Sequence, residues 1–205
     1  MANTKILSNP YANIGRLHNS GLEFVLGSLS GNPTIGEIID LSSRYLQTLS
    51  CENSKIKQEE YCAFIAETLN KLEIVPFDDI LASLLEMKLI TSDGIAFIKE
   101  IDSIDEDSED IQGQIDAIEK KIYISGMSIE EQRYPLIFAA VAKSSSQYIP
   151  PTGHTSKFHW PWKSDAKGAI SGAIGGATAG TFLGGLLGFI AGGIGASVAD
   201  AIFGV

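Results

Sequence analysis

The sequence predicts an all-α protein, a helical bundle followed by a C-terminal glycine-zipper helix or helical hairpin. Three observations point there. Between residues 9 and 149 apolar side chains recur at three- and four-residue steps nearly throughout, the spacing that lines one face of an α-helix. No segment sustains the two-residue alternation of a half-buried strand. Finally, glycine occupies every fourth position from Gly168 through Gly172, Gly176, Gly180, Gly184 and Gly188 to Gly192.

The elements follow in order. Asn9 and Pro10 suit an N-cap and first helical residue, after which Ile14, Leu17, Leu22, Val25 and Leu26 share a face, with Gly21 a point of interruption. Thr34 and Glu37 have capping-box spacing, and Ile35, Ile38, Ile39, Ser42, Tyr45, Leu46 and Leu49 then recur at helical intervals. Another amphipathic run passes through Tyr61, Ile65, Leu69 and Leu72, and Pro76 opens a short one through Ile80, Leu81, Leu84 and Leu85. Gly94 marks a break before Ile95, Ile98 and Ile101. Beyond an acidic stretch, Ile111, Ile115, Ile118 and Ile122 define a helix that Gly126 ends. Ser128 and Glu131 repeat the capping-box spacing, and a final helix of the body runs through Ile137, Phe138, Val141 and Tyr148, with Pro135 near its start and Pro150 and Pro151 stopping it. The organisation expected is an acidic helical domain over 1–149, a Pro/aromatic linker over 150–167, and an apolar glycine-zipper segment over 168–205.

The glycine row has a physical meaning. Glycine disfavours a helix by about 1 kcal/mol per residue relative to alanine, so a row of it on one face requires a compensating gain. Close backbone approach of a second helix supplies one, through dispersion contacts in the groove that the missing side chains leave. Residues 168–199 carry no charge, and Ile170, Ile174, Phe182, Leu183, Leu186, Leu187, Phe189 and Ile190 fall between the glycines. A membrane span needs about 20 such residues, so the stretch suffices for one tilted span or for two short helices in a hairpin. The same composition also suits a helical hairpin buried inside a soluble bundle. Just upstream, Trp160 and Trp162 stand beside Lys163 and Lys167, the composition of an interfacial belt at headgroup depth and equally of an aromatic cap on an apolar core. The zipper resembles the two-helix glycine-zipper segments of bacterial envelope proteins and the glycine-rich helices of membrane-active bacteriocins. That resemblance covers the last fifth of the chain and implies membrane association.

Charge and cysteine content exclude other classes. With 15 Lys and Arg against 25 Asp and Glu, the formal net charge of −10 opposes attraction to nucleic-acid phosphates or anionic headgroups, so membrane binding would be apolar and nucleic acid is not an expected partner. Cys51 and Cys62 match no CxxC redox or zinc pattern, and free thiols or a single disulfide both fit. The opening MANTKILSNPY lacks the apolar core of a secretory signal, which leads to an expectation of cytoplasmic synthesis followed by membrane association or export by a non-classical route.

Several constellations invite chemistry. Asp105, Glu106, Asp107, Ser108, Glu109 and Asp110 alternate as a calcium loop begins, but Asp110 stands where the sharp turn needs glycine. An acidic loop preceding a helix N-terminus is the expected role. His154 and His159 are five apart, not the four that places two ligands on one helical face, so no metal and no cofactor is expected. Asn9, Pro10, Tyr11, Ile14, Gly15, His18, Asn19 and Leu22 form an NPY-x-x-I-G-x-x-H-N-x-x-L run that resembles the opening of a group of uncharacterised bacterial helical proteins, and Ser144 to Tyr148 resembles the end of their helical domain. The resemblance implies no activity. Tyr11, His18 and Asn19 form either a polar site or, with no nucleophile motif beside them, hydrogen-bonded packing residues that fix the first helix.

Two functions are expected from these patterns, neither catalytic. The first is a membrane-active bacterial protein, an antibacterial toxin or effector whose zipper inserts or oligomerises in a target membrane, with the lipid bilayer, further copies of itself and a masking or immunity protein as partners. The second is a soluble structural or interaction protein whose zipper packs within the chain or forms a homo-oligomer. No nucleophile elbow, phosphate loop or metal cluster favours an enzyme.

Overall fold

The computed structural model describes residues 8–49, 62–63, 65–67, 75–150, 161–178 and 182–203, of which 173–178, 182–187 and 203 are described as backbone only. Among the described residues the chain is all-α, with helices α1 (Ala12–Ser28), α2 (Ile35–Leu49), α3 (Phe77–Glu86), α4 (Ser92–Asp102), α5 (Ile111–Ile124), α6 (Ile129–Ser145), α7 (Trp162–Thr178) and α8 (Phe182–Phe203).

Local chemistry sets most boundaries. Thr34 accepts from the Glu37 main chain at 3.3 Å while the Glu37 carboxylate accepts from the Thr34 main chain at 2.7 Å, a closed capping box that starts α2. Ser128 and Glu131 do the same for α6. Asp110 caps α5 by accepting from Gly113 N at 2.9 Å, so the last acid of the Asp105 to Asp110 run serves a helix N-terminus. Gly126 adopts φ 82° just past α5, a left-handed turn that a Cβ would oppose.

Three expected boundaries are revised. The first helix begins at Ala12 rather than Pro10, because the Asn9 amide nitrogen bonds Glu119 and the Leu136 carbonyl while its Oδ1 accepts from Tyr11 N at 2.9 Å. Gly21 does not interrupt α1; it lies mid-helix where an added Cβ would collide with Ile194 and Tyr45. Gly94 sits in the first turn of α4, its N–H capped by Thr91, and the chain turns earlier, at Lys88 with φ 56°.

Two helices form the centre. In α6 every residue from Tyr134 through Val141 is buried, not the single stripe that its apolar spacing suggested, and α1, α4, α5 and α7 pack around it. In α8 every residue from Gly188 through Ala199 is buried, against α1, α2 and α7. Helices apolar on all sides belong in such positions. The ring of Tyr134 on α6 meets that of Phe189 on α8 edge-on at 5.4 Å. The zipper segment is therefore packed into the bundle, and α7 begins within the stretch expected as a linker, whose residues 151–160 lie outside the described residues.

Helices α7 and α8 pack as a hairpin with backbones in contact. A Cβ on Gly168 would strike the Gly192 carbonyl, one on Gly172 the Gly188 carbonyl, and one on Gly192 the Gly168 carbonyl. Among the residues described with their side chains, no helix is long and apolar enough to cross a membrane.

These contacts predict opposite outcomes for two glycine-to-alanine changes. Gly172→Ala should lower stability by about 1–3 kcal/mol, since carbonyl groups cannot step aside as flexible side chains do. Gly27→Ala, with nothing within 4 Å of the new methyl, should instead raise it by about 0.5–1 kcal/mol through helix propensity. Urea unfolding of both variants checks the pair, and equal effects would contradict the backbone contact.

Candidate functional site

The NPY and HN residues converge on α6. Asn9 Nδ2 donates to Glu119 Oε1 at 2.5 Å and to the Leu136 carbonyl at 2.7 Å, joining the start of α1 to α5 and α6. Pro10 and Tyr11 form the turn that leads into α1. Gly15 faces Ala140 and Ser144 so closely that a Cβ would collide with the Ala140 carbonyl. Asn19 Nδ2 then donates to the Ser144 carbonyl at 2.8 Å. The two sequence patterns singled out at residues 9–22 and 144–148 thus touch in space. Burial pushes the Glu119 carboxyl up, opposed by Asn9 and by Lys143, whose ammonium also pairs with Asp116.

His18 lies deeper, with 0 % exposure, where α1, α6, α7 and α8 meet. Its tautomer follows from its neighbour. The Asn19 amide nitrogen is committed to a carbonyl, so the oxygen Oδ1 faces His18 Nδ1 at 3.1 Å, and Nδ1 must carry the hydrogen. Ser145 Oγ lies 3.3 Å from the same nitrogen. The other nitrogen, Nε2, faces the Asp165 carboxyl at 3.9 Å, beyond hydrogen-bond reach, and Asp165 is also 0 % exposed. Gly193 closes the site, since a Cβ there would lie 2.6 Å from the imidazole and 3.1 Å from the Asp165 carbonyl. Burial lowers the His18 pKa to about 4, outweighing the upward pulls of Asn19 and the Gly193 main chain. At neutral pH the His18–Asp165 contact therefore holds an uncharged ring and is no ion pair.

The geometry assigns structural work to these groups. Ser145 faces the hydrogen-bearing nitrogen, not the basic one, so the ring is not placed to take its proton. Sequence reasoning singled out His18 and Asn19 but missed Asp165, Ser145 and Gly193. A signal existed for Asp165, which sits three residues before Gly168 and seven before Gly172, on the glycine face of α7.

The zipper and belt residues are placed as follows. Gly168, Gly172, Gly188 and Gly192 line the α7–α8 contact, Gly176 and Gly184 lie within those helices, and Gly180 falls outside the described residues. Trp162 is buried at 2 % exposure, with Lys163 Nζ 5.6 Å from the centre of its ring. Lys167 pairs with Asp102 on α4 at 3.0 Å and stands over the Phe77 ring. Trp160, His154, His159 and Cys51 lie outside the described residues, and Cys62 is a free, half-buried thiol. Among the described residues no group of three His, Cys, Asp or Glu side chains could hold a metal ion. No family model, no curated protein and no solved structure matches this chain.

Removing the two asparagine clamps should be costly for a defined reason. Asn19→Ala leaves the Ser144 carbonyl with only the Gln147 main chain and the His18 ring with only Ser145, and Asn9→Ala removes the amide shared by Glu119 and the Leu136 carbonyl. Each should lose about 1–3 kcal/mol in chemical denaturation. Values near zero for both would mean that the α1–α6 contact rests on apolar packing alone.

Proposed function

We propose that this chain is a membrane-active bacterial protein, of the antibacterial toxin or effector kind, that stores an apolar helical hairpin in an acidic bundle and delivers it to a bilayer without catalysis. The supporting observation is α8. It has 22 residues, about 33 Å of helix, carries no charge before Asp200, and is buried from Gly188 through Ala199. Such a helix suits a protein core or hydrocarbon and little else. Gly188 and Gly192 meet α7, so the pair can leave the body without exposing the groove between them, while Gly193 parts from His18 of α1. At the open end Ser164 donates to Asp200 at 2.5 Å, a bond that travels with the hairpin. A net charge of −10 makes neutral lipid the favoured surface, and a masking or immunity protein and export by a non-classical route belong to the same reading.

A second reading has its own support. Four glycines of the row already meet within one chain, which suits a permanently folded structural or interaction protein.

Deleting the zipper cannot separate the two, because α8 is one of the two central helices of the bundle. A reversible lock can. Lys167→Cys and Asp102→Cys, in a background with Cys51 and Cys62 changed to Ser, would join α7 to α4 through a short reducible bismaleimide in place of the native ion pair. The unlocked protein should release dye from phosphatidylcholine vesicles, the locked form should not, and reduction should restore release. Vesicles that stay sealed under all three conditions would favour the permanently folded protein.

A further inference from the structure

We propose that His18 is an acid-operated latch between the α7–α8 hairpin and the rest of the bundle, in which a proton arriving at Nε2 favours separation of the hairpin from α1 and α6. This goes beyond the membrane reading, and it holds whether or not the hairpin ever enters lipid.

The location makes the case first. His18 sits on α1, touches Ser145 on α6, and turns Nε2 toward Asp165 on α7 and Gly193 on α8. No other described histidine exists, because His154 and His159 fall outside the described residues. Asn19 keeps Nδ1 protonated, so an added proton must go to Nε2, the atom directed at the hairpin. The site is closed on that side by a glycine with no room for even a methyl group, and a newly charged ring therefore gains no space there.

The surrounding charges decide the sign. From α7 the Asp165 carboxyl faces the ring, and the Tyr148 hydroxyl, after α6, lies within the electrostatic influence of Glu23 on α1 and of Asp165. On α1 itself the neighbour is Asn19, Ser145 of α6 contributes a neutral hydroxyl, and α8 offers the Gly193 main chain, with no ionisable side chain before Asp200. Among the described residues the candidate counter-charge that faces the ring is Asp165. At 3.9 Å without a direct hydrogen bond it offers a poor pairing geometry, and a buried pair offsets its desolvation only when that geometry is good. Burial consequently keeps the ring neutral in the closed form, with a pKa of about 4 against the ordinary 6.5 of an open, hydrated histidine.

Linkage fixes the direction. Because the closed form binds its proton less readily, the latch is fully engaged above the ordinary histidine pKa and weakens as pH falls toward the closed-form value. Those two values correspond to about a thirtyfold gain in the opening equilibrium between pH about 7.5 and pH about 5.

Hydrogen exchange by mass spectrometry on the full chain, corrected for the intrinsic pH dependence of exchange, tests this. Peptides from α7 and α8 should lose protection by about thirtyfold at the lower pH while those from α4 and α5 change little, and His18→Gln should flatten the response. Uniform loss over all helices would overturn the latch, since it would implicate the surface carboxylates. Slower exchange at acid pH would also overturn it, by showing that Asp165 accepts the imidazolium as a partner. Should His18→Gln fail to fold, titration of the His18 ring by NMR in the unmodified protein decides: a midpoint near 4 upholds the latch and one near 6.5 refutes it.

Discussion

The contact between the α7 and α8 backbones is the constraint from which the rest follows. Helices separated by ordinary side chains lie about 8–10 Å apart, and glycine at Gly168, Gly172, Gly188 and Gly192 removes the atoms that impose this distance. The resulting narrow hairpin has room for α8 to penetrate between α1, α2 and α7 and to become a central helix. Small residues repeat the device at other contacts. Gly15 brings α1 onto α6, and Gly21 admits Ile194 and Tyr45 beside α1. At these contacts main-chain surfaces, which are stiff and pack in few ways, join the side chains of the core in the dispersion energy.

Tight apolar packing leaves little tolerance for polar groups, and three of those present tie elements together. Asn9 links α1 to α5 and α6, Asn19 links α1 to α6, and Tyr45 donates to the Leu17 carbonyl at 2.6 Å to link α2 to α1. His18 and Asp165 differ in kind from these. They are fully buried ionisable groups at a junction of four helices. The same motif therefore supplies both rigid clamps and one adjustable member.

What could be read from the sequence was what depends on neighbours along the chain. Thr34 with Glu37 and Ser128 with Glu131 are three-residue devices, and both closed as the spacing implied. The all-helical class followed from apolar periodicity. The face of α6 did not, because Pro135, Ala139 and Ala140 are small and inconspicuous yet buried beside Phe138 and Val141. The polar junction was half visible: His18 and Asn19 stood out, but their partners Ser144 and Ser145 are over 120 residues away, and no local pattern encodes that pairing. The glycine row announced a close approach without naming the surface approached.

Placing a central helix at residues 182–203 beside one at 12–28 also orders events in time. During synthesis at about 5–20 residues per second, α1 leaves the ribosome on the order of ten seconds or more before α8 exists. Through that interval Gly21 and His18 lack their α8 neighbours Ile194 and Gly193. The native centre is completed by a late, long-range closure, whose entropic cost rises with the logarithm of the chain length between its ends. A chaperone that holds the emerging amphipathic helices apart would speed the yield of folded protein without altering its final stability.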